Sequence, residues 1–258
     1  MQGWRALVLL GVVMMSPMLS AATVEAVTTC MRANIPETVR IQTFELQSHD
    51  RNGESRLLAG RLTASRETDL VRANLQLERP PDLKDAAYLM RENAEGSDEM
   101  YIFLPALNKV RRVVGGTRDN PLFGTDFSYN DLRQLHKAFA GQPTQMGPPE
   151  TLDGRPVHVL DVRPTAEDQS RYTRIRAWID VEACTPLKME FFEGERVSKR
   201  MRSPASSLAR VEGYWYAAQT EMHDLQAGTH TRMSVSNIET GARLPQRVFN
   251  PRLFYMGN

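Results

Sequence analysis

Val71-Arg72-Ala73-Asn74-Leu75-Gln76-Leu77-Glu78 alternates apolar and polar side chains without a break. Successive side chains of an extended chain point to opposite faces, so a period of two predicts a strand with one apolar and one wet face. The pattern returns downstream. Thr173, Ile175, Ala177, Ile179 and Val181 alternate with Arg174, Arg176, Asp180 and Glu182, Trp178 being the exception, and Leu187, Met189 and Phe191 continue it. Turn formers separate such runs at Asp50-Arg51-Asn52-Gly53, Glu95-Gly96-Ser97-Asp98, Asp153-Gly154, Gly194 and Gly228. The runs number about ten to twelve, joined mostly as hairpins, which predicts one large antiparallel sheet. A sheet of that size must curl or close. The expected fold class is therefore mainly β, a barrel or half-barrel rather than two domains.

Two segments depart from this period. Val24, Val27 and Met31 recur at helical spacing until Asn34 and Pro36, predicting a short helix that carries Cys30. Ser128-Tyr129-Asn130-Asp131 has the spacing of a capping box with Asp in place of the usual Glu, and Leu132, Leu135 and Phe139 follow on one helical face. A helix from about 129 to 140 follows from this pattern, either a lid over the sheet or a plug in a barrel end. Gly141-Gln142-Pro143-Thr144-Gln145-Met146-Gly147-Pro148-Pro149 reads as a long loop within the fold.

The chain begins with one basic residue, Arg5, an apolar run from Ala6 to Met15, then Pro17 and the small residues Ser20-Ala21-Ala22. This is the layout of a cleaved signal peptide over 1–22, and the apolar run falls short of the roughly 18 residues a membrane anchor needs. Export bears on the two cysteines, Cys30 and Cys184. One disulfide closing a loop of about 150 residues is the economical reading, two separate buried thiols the alternative. Neither cysteine has a neighbouring His or belongs to a C-x-x-C pair, so a catalytic thiol is disfavoured.

The 258 residues carry 32 Lys+Arg against 31 Asp+Glu, a net charge of +1. Without Arg5 the exported chain has 31 charges of each sign. That balance argues against a nucleic-acid binder. Enzyme signatures are missing: no H-E-x-x-H, P-loop, G-x-S-x-G or G-x-G-x-x-G. His49, His136, His158, His223 and His230 stand singly, none in a metal-ligand spacing. Neither a catalytic residue, a metal nor a cofactor is expected.

The most distinctive stretch is 100–132. Two strands flank a Leu104-Pro105 turn: Tyr101 to Leu104 is apolar on both faces, and the second carries Lys109, Arg111 and Arg112. Phe123-Gly124-Thr125-Asp126-Phe127 then leads into the capped helix, with Asp131 in its first turn. Gly124 permits a backbone that other residues avoid. Asp126 could bond loop amides or pair with Arg111 or Arg112, as a loop clamp or a ligand contact.

These motifs resemble the outer membrane lipoprotein-sorting protein family, a LolA-like branch related to the periplasmic lipoprotein carriers. The likeness extends weakly from the Cys30 helix to Leu244-Pro245-x-x-Val248-Phe249. It implies a half-open antiparallel barrel of about eleven strands in a single domain over 23–258, with helices covering an apolar cavity for acyl chains. It also implies a periplasmic, non-enzymatic carrier of lipid or lipoprotein acyl chains, and association with an inner-membrane RND-type (MMPL-like) exporter; the working state is expected to be a monomer. Cavity candidates are Leu75, Leu77, Met100, Ile102, Leu104, Ile175, Ile179, Met189, Phe191 and Met233. A sixteen-carbon chain resists leaving a membrane by roughly 12 kcal/mol, so a carrier has to offer comparable apolar surface; the mature chain's nine methionines suit an adaptable lining. Two other readings stand beside this one: a periplasmic signalling module that senses lipid on the same fold, and a lipid-ester hydrolase.

Overall fold

The alternating segment at 71–78 lies inside a strand, one of sixteen among the described residues. The computed structural model describes residues 22–95 and 97–256. The signal peptide expected over 1–22 lies outside the described residues except for Ala22. In chain order the elements are helix α1 (Val24–Ala33), strands β1 (Arg40–His49), β2 (Ser55–Glu67), β3 (Leu70–Arg79), β4 (Ala87–Arg91), β5 (Glu99–Leu104) and β6 (Lys109–Arg112), and helix α2 (Tyr129–Lys137). Strands β7 (Thr144–Met146), β8 (Glu150–Leu152), β9 (Arg155–Val162), β10 (Arg174–Asp180), β11 (Pro186–Glu193) and β12 (Arg196–Arg202) follow. The chain continues with β13 (Leu208–Val211), β14 (Tyr214–Ala217), β15 (Gln219–Asp224) and β16 (Thr229–Thr240). Eleven of these strands have five residues or more; the other five are three or four residues long, too short to read from periodicity.

Fourteen strands form one antiparallel sheet in the order β6-β5-β4-β3-β2-β1-β16-β15-β12-β11-β10-β9-β7, with β8 on β9. The first and last strands pair at its centre, and β6 and β7 remain edges, so the sheet does not close. β13 and β14 make a separate hairpin. The sheet curls through bulges at Ile41/Thr43, Ala59/Gly60, Trp178/Ile179 and Phe191/Phe192, since an extra residue bends a strand and raises its twist. Gly60 is required at its bulge because a Cβ there would stand 2.0 Å from the Gln76 carbonyl oxygen.

The inner face carries the main core. Val71, Ala73, Leu75 and Leu77 of β3 and Ile175, Ala177 and Ile179 of β10 join one cluster with α1 and α2. The outer face is drier than alternation predicts. The C-terminal segment covers β3 and β5: the Asn74 amide of β3 donates to the Val248 and Phe254 carbonyls at 2.7 and 2.9 Å, and Phe103 of β5 stacks on Tyr255 at 3.9 Å. Trp178 breaks the alternation for the same reason: it sits on the outer face with Val157, Val159 and Leu187, beneath Ala205 and Leu208. Val181, expected to extend this strand, lies in the following turn and is 42% exposed.

α1 starts at Thr23, whose hydroxyl accepts from the Ala26 amide, and the Cys30–Cys184 disulfide, with Cα atoms 5.7 Å apart, ties it to the β10–β11 turn. α2 has the expected capping box: the Asp131 amide donates to Ser128 Oγ at 3.0 Å and the Ser128 amide to Asp131 Oδ2 at 2.8 Å. It ends at Lys137, three residues before the expected end, because Ala138 and Phe139 turn to left-handed φ of 49° and 63°. Phe139 is nevertheless buried. The expected loop at 141–149 contains β7, which edges the sheet against β9.

Candidate functional site

The central strands, the two helices and the β13–β14 hairpin enclose a cavity of about 210 Å³. Its floor is Phe44 and Leu46 of β1, Leu62 of β2, Leu75 of β3, Met201 of β12 and Met233 of β16. Met31 of α1, Leu132 and Leu135 of α2, and Phe127 form the cover, and Trp215 and Tyr216 of the hairpin stand at the rim. The volume is below the about 300–1,000 Å³ of pockets that enclose drug-sized ligands.

Of the ten residues singled out by sequence, Leu75 and Met233 line this cavity. Leu77, Met100, Ile175, Ile179, Met189 and Phe191 are fully buried in the core. They occupy the same inner face, but in the wings of the sheet that face is packed solid; Phe191 meets the Tyr172 ring at 5.0 Å. Ile102 and Leu104 pack partly buried against the same core.

The motif residues build a clamp. Pro105 opens a 3₁₀ turn, and Arg111 and Arg112 lie exposed on edge strand β6. Asp126 pairs with neither arginine. Its carboxylate accepts from the hydroxyls of Thr229 and Thr231, the latter at 2.6 Å, and its amide donates to Thr231 Oγ1 at 2.9 Å. The Asp126 carbonyl accepts from Lys199 Nζ at 2.6 Å, so the loop is pinned to β16 and β12. Phe123 and Gly124 turn it with φ of 49° and 79°, and Phe127 is buried. Asp131, buried completely, accepts from the Tyr172 hydroxyl at 2.9 Å and from Lys199 Nζ at 3.1 Å. Burial, then the Asp131 charge, pushes the Tyr172 hydroxyl well above the usual phenol range. These are bonds that hold a cover on a sheet.

Periodicity did not single out the polar residues of the cavity. Arg40, Gln42, Phe44 and Leu46 alternate along β1 and all face inward, and that alternation is the signal that could have found them. Arg40 Nη1 donates to the Asn34 carbonyl at 3.1 Å, while its buried Nε and Gln42 Oε1 have no partner. Burial pushes the Arg40 guanidinium below its ordinary pKa. His136 Nδ1 is 2.6 Å from the Leu132 carbonyl, which can only accept, so Nδ1 carries the proton. A second cluster is Asp98 with Arg133 at 2.5 Å and Lys137 at 3.2 Å, and Arg133 with Asp168 at 2.8 Å, buried or nearly so, fixing α2 from the other side. Among the described residues, no group of three or more His, Cys, Asp or Glu is placed to hold a metal.

A family model described as "-like: Uncharacterized protein" matches residues 71–254. Three solved structures share the fold. A DUF1329 family protein from Desulfovibrio piger is 19% identical with a TM-score of 0.80, covering 89% of this chain and 98% of that one. A putative outer membrane lipoprotein-sorting protein domain from Vibrio parahaemolyticus is 24% identical with a TM-score of 0.79, covering 90% and 97%. A LolA superfamily protein from Nitrosomonas europaea is 16% identical with a TM-score of 0.68, covering 89% and 98%. No curated protein matches the chain. The resemblance read from residues 100–132 thus holds for the fold.

Proposed function

We propose, from the premise that the chain belongs to the family whose model matches residues 71–254 and has the LolA-type fold, that it is a carrier for lipid or lipoprotein acyl chains. The observation that carries this reading is the apolar cavity floored by Phe44, Leu62, Leu75 and Met233. Surface of that kind offsets the loss of membrane contact at about 0.8 kcal/mol per buried methylene. A chain larger than the cavity extends past its rim or displaces the cover or the hairpin outward.

In this reading residues 1–22 are removed on export, residues 23–258 work in the periplasm as one non-enzymatic domain, and a monomer passes cargo to the outer membrane or exchanges it with an RND-type exporter. Formal neutrality suits a shuttle that must leave anionic membrane surfaces. Native purification followed by lipid extraction and mass spectrometry tests the carrier step; the expected result is co-purified acyl lipid and binding of fluorescent acyl probes by the delipidated protein. A lipid-free preparation without affinity for such probes overturns it.

A further inference from the structure

We propose that Arg40 is the anion-recognising residue of this cavity, and that the cargo is an amphiphile whose carboxylate or phosphate head bonds Arg40 while its apolar body lies against Phe44, Leu62 and Leu75. The inference rests on the carrier reading and narrows its ligand to an acidic one.

A guanidinium has five N–H donors in a planar fork that fits carboxylate and phosphate oxygens. Arg40 Nη1 donates to the Asn34 carbonyl, and Nε is buried without a partner. Arg32 and Arg133 have acids, Glu92 at 2.9 Å for the first and Asp98 and Asp168 for the second; Arg118, buried away from this cavity, likewise lacks an ion pair among the described residues and donates to the Asp98 and Asp168 carbonyls, so Arg40 is set apart by its place in the apolar cavity. No ion pair within 4.0 Å involves Arg40 among the described residues. The titratable groups it senses are the Tyr216 hydroxyl and His136, and the acid on that side, Glu92, is bound to Arg32.

A buried cation without a counter-ion is unfavourable, and an anionic head would remove that penalty. Gln42 adds to the geometry. It follows Arg40 by two residues on the same face of β1, and its Oε1 is buried and unpaired, an acceptor for a head-group hydroxyl. The neighbouring wall is apolar, so the anion needs a hydrocarbon body to fill the remaining space. The bond to Asn34 alone does not account for the residue, since it uses one donor of five.

The test compares dodecanoic acid, dodecyl phosphate and the uncharged dodecanol for displacement of a neutral fluorescent acyl probe from the exported chain near neutral pH. A charge-assisted bond predicts that one or both acids bind at least about 10-fold more tightly than dodecanol; the acid that wins identifies the head. In Arg40→Gln the ratio of acid to dodecanol affinity falls to near unity. Arg40→Met, which buries no polar group, repeats the measurement if R40Q melts early. Inorganic phosphate and acetate at the same concentrations displace nothing.

Equal affinity for acid and alcohol in the unmodified protein overturns the inference and leaves the carrier reading standing. Retained discrimination in a folded Arg40 variant overturns it too, as does displacement by inorganic phosphate alone. Failure of the acyl probe and all three amphiphiles to bind overturns both readings; a bound probe that none of them displaces overturns this inference alone.

Discussion

Asp131→Asn isolates the buried charge at the root of the cover. Asp131 is inaccessible to solvent and the Lys199 side chain is 5% exposed, so the exchange leaves the Lys199 charge buried without a counter-ion, bonded to the Asp126 carbonyl at 2.6 Å and a neutral amide oxygen. Asparagine keeps an oxygen for the Ser128 amide and fills the same volume, which separates loss of charge from loss of the helix cap. Removing one partner of a buried pair costs about 3–5 kcal/mol. For a domain of this size that is a fall in Tm of roughly 6–20 °C. Urea and thermal unfolding followed by circular dichroism read it directly. Asp131→Asn with Lys199→Met removes both charges and should restore stability to within about 1 kcal/mol of the parent, because a buried ion pair is often no better than an apolar pair of similar volume. A loss below about 1 kcal/mol in the single variant, or a double variant no more stable than the single, would refute the view that this pair holds α2 on the sheet.

Replacing Cys30 and Cys184 by Ser removes a link across 154 residues; by loop entropy the expected loss is about 4–5 kcal/mol with the fold retained, and an unchanged Tm shows that the bond contributes nothing. Asp126→Ala deletes the bonds to Thr229 and Thr231, so limited proteolysis and hydrogen exchange should find residues 115–128 loosened; protection equal to the parent's sinks the clamp. Burial holds His136 below its ordinary pKa, with the Arg40 charge acting the same way against the Leu132 hydrogen bond and Glu92. The unfolded chain therefore takes up the proton first as pH falls. Stability from this residue is full above the ordinary histidine value of about 6.5 and declines below it by at most about 1.4 kcal/mol per pH unit. His136→Gln should flatten that part of the stability profile, and identical slopes in parent and variant would end the argument.

Much of the fold was readable because alternation records burial. Val71 to Leu77 and Ile175 to Ile179 face inward as their period requires, and Ser128 and Asp131 cap α2 as their spacing requires. What escaped was set by contacts distant in sequence. Asn74 read as a wet position because nothing near it announces that the Val248 and Phe254 carbonyls cover it. Trp178 read as an exception until the outer face of β9–β11 proved to be apolar as well. Period two assigns a residue to a face but not to a place along the sheet, and hence Met189 and Leu75, alike in pattern, end in packed core and open cavity.

The position of the cavity follows from the chain's topology. β1 and β16 meet at the centre of the sheet, and α1 is tied through Cys30 to Cys184 of the β10–β11 turn. Above the wings, Tyr129 of α2 meets Tyr88 of β4, Tyr172 of the β9–β10 connection meets Phe191 of β11, and Phe139 after α2 joins the same packed core. Over the cavity the cover carries Met31, Leu132 and Leu135 with a single aromatic, Phe127. Residues that decide what enters the space therefore belong to β1 and its neighbours, while the Phe123–Asp131 segment, for all its distinctiveness in sequence, spends its polar atoms on Thr229, Thr231, Lys199 and Tyr172. Of that segment's side chains, Phe127 alone lines the cavity, and the polar ones serve the fold. Selectivity should respond to substitutions at Arg40 and Gln42, and stability to substitutions at Asp126 and Asp131.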